Sequence, residues 1–248
     1  MHSLLWYIIF FLALGALGMH FGSRKADRAT RRSRWLKYFM YIIITGVVVL
    51  GMVFHLFNWV ALIIVLAAVA EWIKVSGYRA GALPALAFFV LLSTCTCFYL
   101  FSKAFNDSFL LFVYFQVMVF DGFCQITGQL FGKTALVPAI SPSKTVEGLM
   151  GGWLFCTGVA AASAGWIALP WYKGILFGVL TGATAFTGDI CASWYKRKMK
   201  VKDYSNWLPG QGGFLDRFDS FLAAGALYYL LLITIFKETW RPFVQGPA

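Results

Sequence analysis

KGILFGVLTGATAFTGDICASWYKRKMKVKDYSNWLPGQGGFLDRFDSFLAAGALYYLLLITIF, running from Lys173 to Phe236, decides what kind of protein this is. It opens and closes with apolar runs, 173–194 and 218–236, each long enough or nearly so to cross a bilayer as a helix. Between them lies a polar loop carrying Lys196, Arg197, Lys198, Lys200, Lys202 and Arg217. Two hydrophobic spans joined by a basic loop describe a membrane hairpin.

Further apolar runs lie upstream at 4–21, 38–55, 57–73, 82–101, 108–131 and 148–169. The first lacks the basic n-region and small-residue cleavage site of a signal peptide, so it is read as a transmembrane helix. Composition agrees. Hydrophobic residues make up 60% of the 248 and charged residues 12%, with a mean hydropathy of +0.73. Soluble domains carry about 25% charged residues, and half of that leaves too little polar surface to face water. The expectation is an all-α, polytopic integral membrane protein of about eight transmembrane helices. It forms a single transmembrane domain over 1–248, with a polar active-site cavity facing the cytoplasm.

Net charge is +11. In a soluble protein that would suggest nucleic acid; in a membrane protein it points to topogenic loops, anionic lipids and phosphate-bearing substrates, and no nucleic-acid partner is expected. The loop at 22–37 holds Arg24, Lys25, Arg28, Arg31, Arg32, Arg34 and Lys37, which places it in the cytoplasm. With eight spans, Lys74, Arg79, Lys133, Lys144 and the basic residues of 195–217 join it, 17 cations in all. Lys103, Lys173, Lys237 and Arg241 fall outside, with both termini. The asymmetry fits the positive-inside rule.

The chain has ten acidic residues, and six fall between 121 and 219: Asp121, Glu147, Asp189, Asp203, Asp216 and Asp219. Asp121 and Asp189 sit within apolar spans near their cytoplasmic ends, where an uncompensated carboxylate is costly and marks a functional candidate. Asp216 and Asp219 are three residues apart at the start of the last helix and so face one way. With Asp189 they supply the oxygen donors that a hard cation such as Mg²⁺ takes. Lys196, Arg197, Lys202 and Arg217 offer charge to a polyphosphate, and the glycines of 209–213 let backbone amides approach phosphate near a helix N-terminus. Cys95, Cys97, Cys124, Cys156 and Cys191 lie in apolar runs without metal-ligand spacing, and the scattered His2, His20 and His55 offer no zinc site.

SWYKRKMKVKDYSNWLPGQGGFLDRFD, 193–219, resembles the signature of the phosphatidate cytidylyltransferase (CDP-diacylglycerol synthase) family. Upstream, LFGKTALVPAISPSKTVEGLMGG, 130–152, is similar to that family's second conserved block, and Asp121 and Gly188-Asp189-Ile190 match further positions. The motif-bearing part covers about 118–222. Tyr195 replaces an aliphatic residue and Gln211 replaces a histidine. Gln hydrogen-bonds but takes up no proton near neutral pH. A phosphate monoester is already ionised there, so the chemistry does not require a base.

The resemblance implies transfer of CMP from CTP to phosphatidate, giving CDP-diacylglycerol and pyrophosphate. It implies that Asp189, Asp216 and Asp219, with Ser193, hold Mg²⁺, a second cation being an option. Lys196, Arg197 and Arg217 would contact the phosphates of CTP or lipid. Lys133, Ser141, Lys144, Thr145 and Glu147 would line the facing wall. Lys202, Asp203, Gly210, Gln211, Gly212, Gly213 and Asp121 complete the implied substrate contacts. A homodimer is the family's expectation, and the compact size alone suggests a bacterial inner membrane. Among rival classes, a CDP-alcohol phosphotransferase needs D-G-x-x-A-R, whereas Asp121-Gly122 runs on into Phe123-Cys124-Gln125. An altered relative using another lipid phosphate, or a lipid-binding or transport protein, would differ in its dependence on nucleotide and Mg²⁺.

Overall fold

The structure, a computed structural model, describes residues 2–22, 27–77, 81–234 and 243–244. Arg24, Lys25, Arg79, Lys237 and Arg241, counted above for orientation, lie outside the described residues, as do positions 235–236 of the last span. Eight helices follow in order: α1 His2–Gly22, α2 Arg28–Val53, α3 Phe57–Ser76, α4 Ala82–Ala104, α5 Asp107–Phe131, α6 Val146–Ser163, α7 Trp171–Lys198 and α8 Phe214–Thr234. Among the described residues, α2 to α8 are long and apolar enough to cross a membrane, α6 together with the 3-10 turn Ala164–Ile167 that continues it. In α1 the described apolar part, Leu4–Leu17, is shorter. The all-α polytopic expectation holds.

Two boundaries differ from the sequence reading, for one reason. The basic segment before the second span is mostly helix, because Asp27 caps α2 by accepting from Ala29 N and Thr30 N at 3.1 and 3.2 Å. Likewise α7 runs on to Lys198, four residues past its apolar stretch. Hydropathy marks where lipid ends, whereas backbone hydrogen bonding continues into the interface. A third difference is an antiparallel pair of short strands between α5 and α6, β1 Ala135–Val137 and β2 Ser141–Thr145. Thr145 then caps α6 by accepting from Gly148 N at 3.1 Å.

At the centre is α5, where every residue from Phe109 to Phe120 except Met118 is buried. It packs on α6 and α7, and α8 lies against α3, α4, α5 and α7. Rings from four helices, among them Phe98, Phe101, Phe109, Phe177, Phe221 and Tyr228, interlock around it. Outward faces stay apolar, with Leu154 72%, Trp59 66% and Leu86 63% exposed, as lipid contact requires. Cys191 is exposed on α7, whereas Cys95 and Cys156 pack inside as anticipated. At one end of the bundle the α2–α3 turn meets the start of α5 through His55 Nδ1 and Asp107 Oδ2, 2.5 Å apart. The charged residues of the motifs gather at the other end.

Candidate active site

Three elements build the site: the last turns of α7, the loop 199–213 with the first turns of α8, and the β1–β2 hairpin. The hairpin arches back toward α7 because Arg197 Nε donates to Ile140 O at the hairpin tip, at 3.0 Å, while its guanidinium also reaches Val201 O at 3.2 Å. Glu147 secures the other side, its Oε2 accepting from Lys133 N at 3.1 Å and Thr134 N at 3.2 Å. So held, β2 projects Lys144 onto Asp189 Oδ2 of α7, a short ion pair, and Ser193 Oγ one turn on donates to Asp189 Oδ1 at 3.2 Å.

Asp216 has both oxygens engaged. Lys196 Nζ reaches Oδ1 at 2.6 Å, with the two side chains only 11% and 6% exposed, while Oδ2 accepts from Tyr204 N at 2.7 Å and Gly213 N at 2.9 Å. The Gly213 contact is half of a capping box: an acid at the third helical position satisfies the amide that precedes the helix. Gly210 and Gly212 turn the loop with φ of +75° and +84°, a region side chains rarely occupy. Leu208 N donates to Gly212 O and Gln211 N to Leu208 O, both at 2.9 Å, closing the turn. Burial, with Asp219 and Asp216 nearby, raises the Tyr204 phenol, which stays protonated and donates to Ala192 O at 3.2 Å.

Asp219 engages the protein less, one oxygen accepting from Ser220 N at 2.7 Å. It lies in the electrostatic reach of Asp189, Asp121 and Lys196, and Asp121 in that of Arg217, Asp189 and Lys144. The guanidinium of Arg217 sits 4.6 Å over the Tyr41 ring, and Ser220 Oγ donates to Asp121 Oδ1 at 3.5 Å. Three carboxylates that repel one another, ringed by three cations, present the hard oxygen donors that Mg²⁺ prefers. Among the described residues no three His, Cys, Asp or Glu side chains are assembled as a metal cage. Mg²⁺ commonly uses one or two carboxylates and completes its shell with water and substrate phosphates; Asp189 and Asp219, with Ser193 beside them, are the residues that could hold it.

Of the residues singled out in the sequence, the fold brings Asp121, Asp189, Ser193, Lys196, Asp216, Arg217, Asp219 and Lys144 to one locus. Thr145, Glu147 and Arg197 bond to backbone around it, and Gly213 N donates to the Asp216 carboxylate. Lys133, Lys202 and Asp203 are exposed at its margin, and Ser141 opens β2. Gln211 Nε2 donates to Lys37 O of α2 at 2.6 Å, a docking bond and not an acid–base one.

One residue escaped the sequence reading: Glu71 of α3, wholly buried. Its Oε1 accepts from Ser205 Oγ at 2.6 Å and Phe214 N at 2.9 Å, and its Oε2 from Leu215 N at 2.8 Å. An acid inside the apolar run 57–73 is the same signal that singled out Asp121 and Asp189.

Comparison with known proteins shows what the chain is similar to. A protein of Aquifex aeolicus named phosphatidate cytidylyltransferase is 39% identical over 134 residues, 52% of this chain and 49% of its own length. Its namesake from Staphylococcus aureus is 39% identical over 128 residues, 50% of this chain and 49% of its own. The Staphylococcus saprophyticus protein is 38% identical over 136 residues, 51% and 50% respectively. The chain thus spans about half the length of the curated relatives it matches. A description of the cytidylyltransferase family matches residues 2–235, nearly the whole sequence, and the chain belongs to that family.

Proposed function

We propose that the protein transfers CMP from CTP to phosphatidate, forming CDP-diacylglycerol and releasing pyrophosphate. The observation that carries this is the convergence of Asp121, Asp189 and Asp219 with Lys144, Lys196 and Arg217 at one end of the bundle. The names of the relatives support the same reaction. In this reading the locus faces the cytosol, where CTP is dissolved, and the bilayer retains the acyl chains. Bacterial relatives make an inner membrane the proposed location.

A lipid phosphate oxygen forms a bond to the α-phosphorus of CTP as the bond to the pyrophosphate oxygen breaks. The attacking monoester is an anion near neutral pH, so no residue need remove a proton, and Gln211 suffices where its role is to dock the loop on α2. The protein supplies placement and charge. Lys144, with 22% of its side chain exposed, can leave Asp189 for an incoming phosphate. Lys196, at 11%, stays with Asp216 and offers its remaining N–H groups. Arg217, stacked on Tyr41, presents guanidinium edges to the triphosphate. Asp189 and Asp219, with Ser193 beside them, would hold Mg²⁺, and Asp121 stands next in line. When bound, the ion neutralises charge on the triphosphate oxygens. Asp216 in this scheme fixes Lys196 and the loop.

The test is to incubate the detergent-purified protein with phosphatidate, CTP and Mg²⁺ and to quantify CDP-diacylglycerol and pyrophosphate. Equal amounts of both products from wild type, and none from Asp219→Asn, are expected. CTP binding without product would move the acceptor to another lipid phosphate. Folded protein that neither binds CTP nor forms product would overturn the proposal.

A further inference from the structure

The first two turns of α8 carry Asp216, Arg217 and Asp219, yet its N-cap, Gly213, has no side chain with which to satisfy the leading amides. Another helix does so. The α3 carboxylate of Glu71 accepts from Phe214 N and Leu215 N and holds Ser205 of the preceding loop. A negative group suits the positive end of a helix. The approach is close enough that a Cβ on Gly213 would sit 2.5 Å from Glu71 Oε2. The same end of α3 also grips α7: Trp72 stacks on Tyr195 with ring centroids 5.7 Å apart, and Ser76 Oγ and Tyr195 OH are 2.6 Å apart. Tyr195 lies between Ser193 and Lys196, so one surface of α3 touches both elements that bear the site.

We propose that Glu71 is a positioning residue for the cytidylyl transfer, setting the height of α8 against α7 and so the separation of Asp219 from Asp189. The residue touches neither substrate in this scheme. It acts through the amides of Phe214 and Leu215, and the proposal rests on the reaction assigned above. In Glu71→Gln the amide NH₂ faces a backbone donor where an oxygen stood, so the first turn of α8 loosens without loss of side-chain volume.

The experiment compares wild type and Glu71→Gln, as folded protein in detergent, by kcat, by the Mg²⁺ concentration for half-maximal activity, and by hydrogen exchange over 213–218. The expected result is faster exchange in that segment, a kcat at least about tenfold lower, within the ~10²-fold that a misplacement of about 1 Å can cost, and a raised Mg²⁺ requirement. Faster exchange with kcat and Mg²⁺ requirement unchanged would overturn the positioning role and leave Glu71 a structural cap. Unchanged exchange would overturn the cap as well. If Glu71→Gln does not fold, Ser205→Ala, which leaves the carboxylate in place, is measured the same way and a smaller shift in the same direction is expected; no shift overturns the proposal. Should wild type form no product, the reaction assignment fails separately, and affinity for CTP with Mg²⁺ decides: weaker binding in the variant supports positioning, and equal binding overturns it.

Discussion

Asp216 and Asp219 look equivalent in the sequence and differ in the fold. Asp216 is enclosed, with Lys196 on one oxygen and two backbone amides on the other, whereas Asp219 takes one local amide and faces Asp189 and Asp121. Substituting each by Asn should therefore separate two effects. Asp216→Asn leaves the Lys196 ammonium buried without its partner, at a cost of about 3–5 kcal/mol, and should lower both the thermal midpoint and activity. Asp219→Asn should abolish activity with the midpoint close to wild type, as read by product formation and a thermal melt on the same sample. Equal loss of stability in both would contradict the distinction.

At the level of elements, the hairpin is the part that hydropathy does not reveal. It is polar, short and held to α7 by Arg197 at its tip and by Lys144 at its second strand. Arg197→Ala removes hydrogen bonds to Ile140 O and Val201 O, each charge-assisted bond being worth about 1.5–3 kcal/mol. The hairpin should then be cut faster by protease between 138 and 140, and the KM for CTP should rise more than kcat falls, since Asp189 keeps Ser193 and Asp219 keeps the Ser220 amide even where Lys144 is loosened. A kcat loss with KM unchanged would assign Arg197 to the chemistry itself. Tyr195 makes a related point: it looks like a neutral replacement in the motif, yet its hydroxyl and ring tie α7 to α3.

At the scale of the molecule, seven long apolar helices among the described residues carry a polar locus at one end and the His55–Asp107 contact at the other. Mg²⁺ commonly completes its shell with substrate phosphates, so in the proposed reaction cation and nucleotide should bind as a unit. Mg²⁺ alone or CTP alone should move the thermal midpoint little. Together, at a hundredfold excess over Kd, they should stabilise by about 2.7 kcal/mol, and a chelator should remove both the shift and the activity. A full shift from Mg²⁺ alone would mean that the protein builds the metal site without nucleotide.

Local chemistry in the sequence was enough to determine the class, the order of the long spans and the acids that the fold gathers at one end, though it passed over Glu71. Apolar length and charge asymmetry follow from transfer between water and lipid, which each segment experiences for itself. That is why 57–73, 108–131 and 173–194 lie within α3, α5 and α7. The partners of those acids depend instead on residues far apart in the chain. Glu71 meets Phe214 across 143 positions, Gln211 meets Lys37 across 174, and Lys144 meets Asp189 across 45. Which carboxylate is spent on a helix end, which on a lysine and which is left for a ligand is settled by tertiary packing, because a buried polar group takes whichever partner the fold brings within hydrogen-bonding distance.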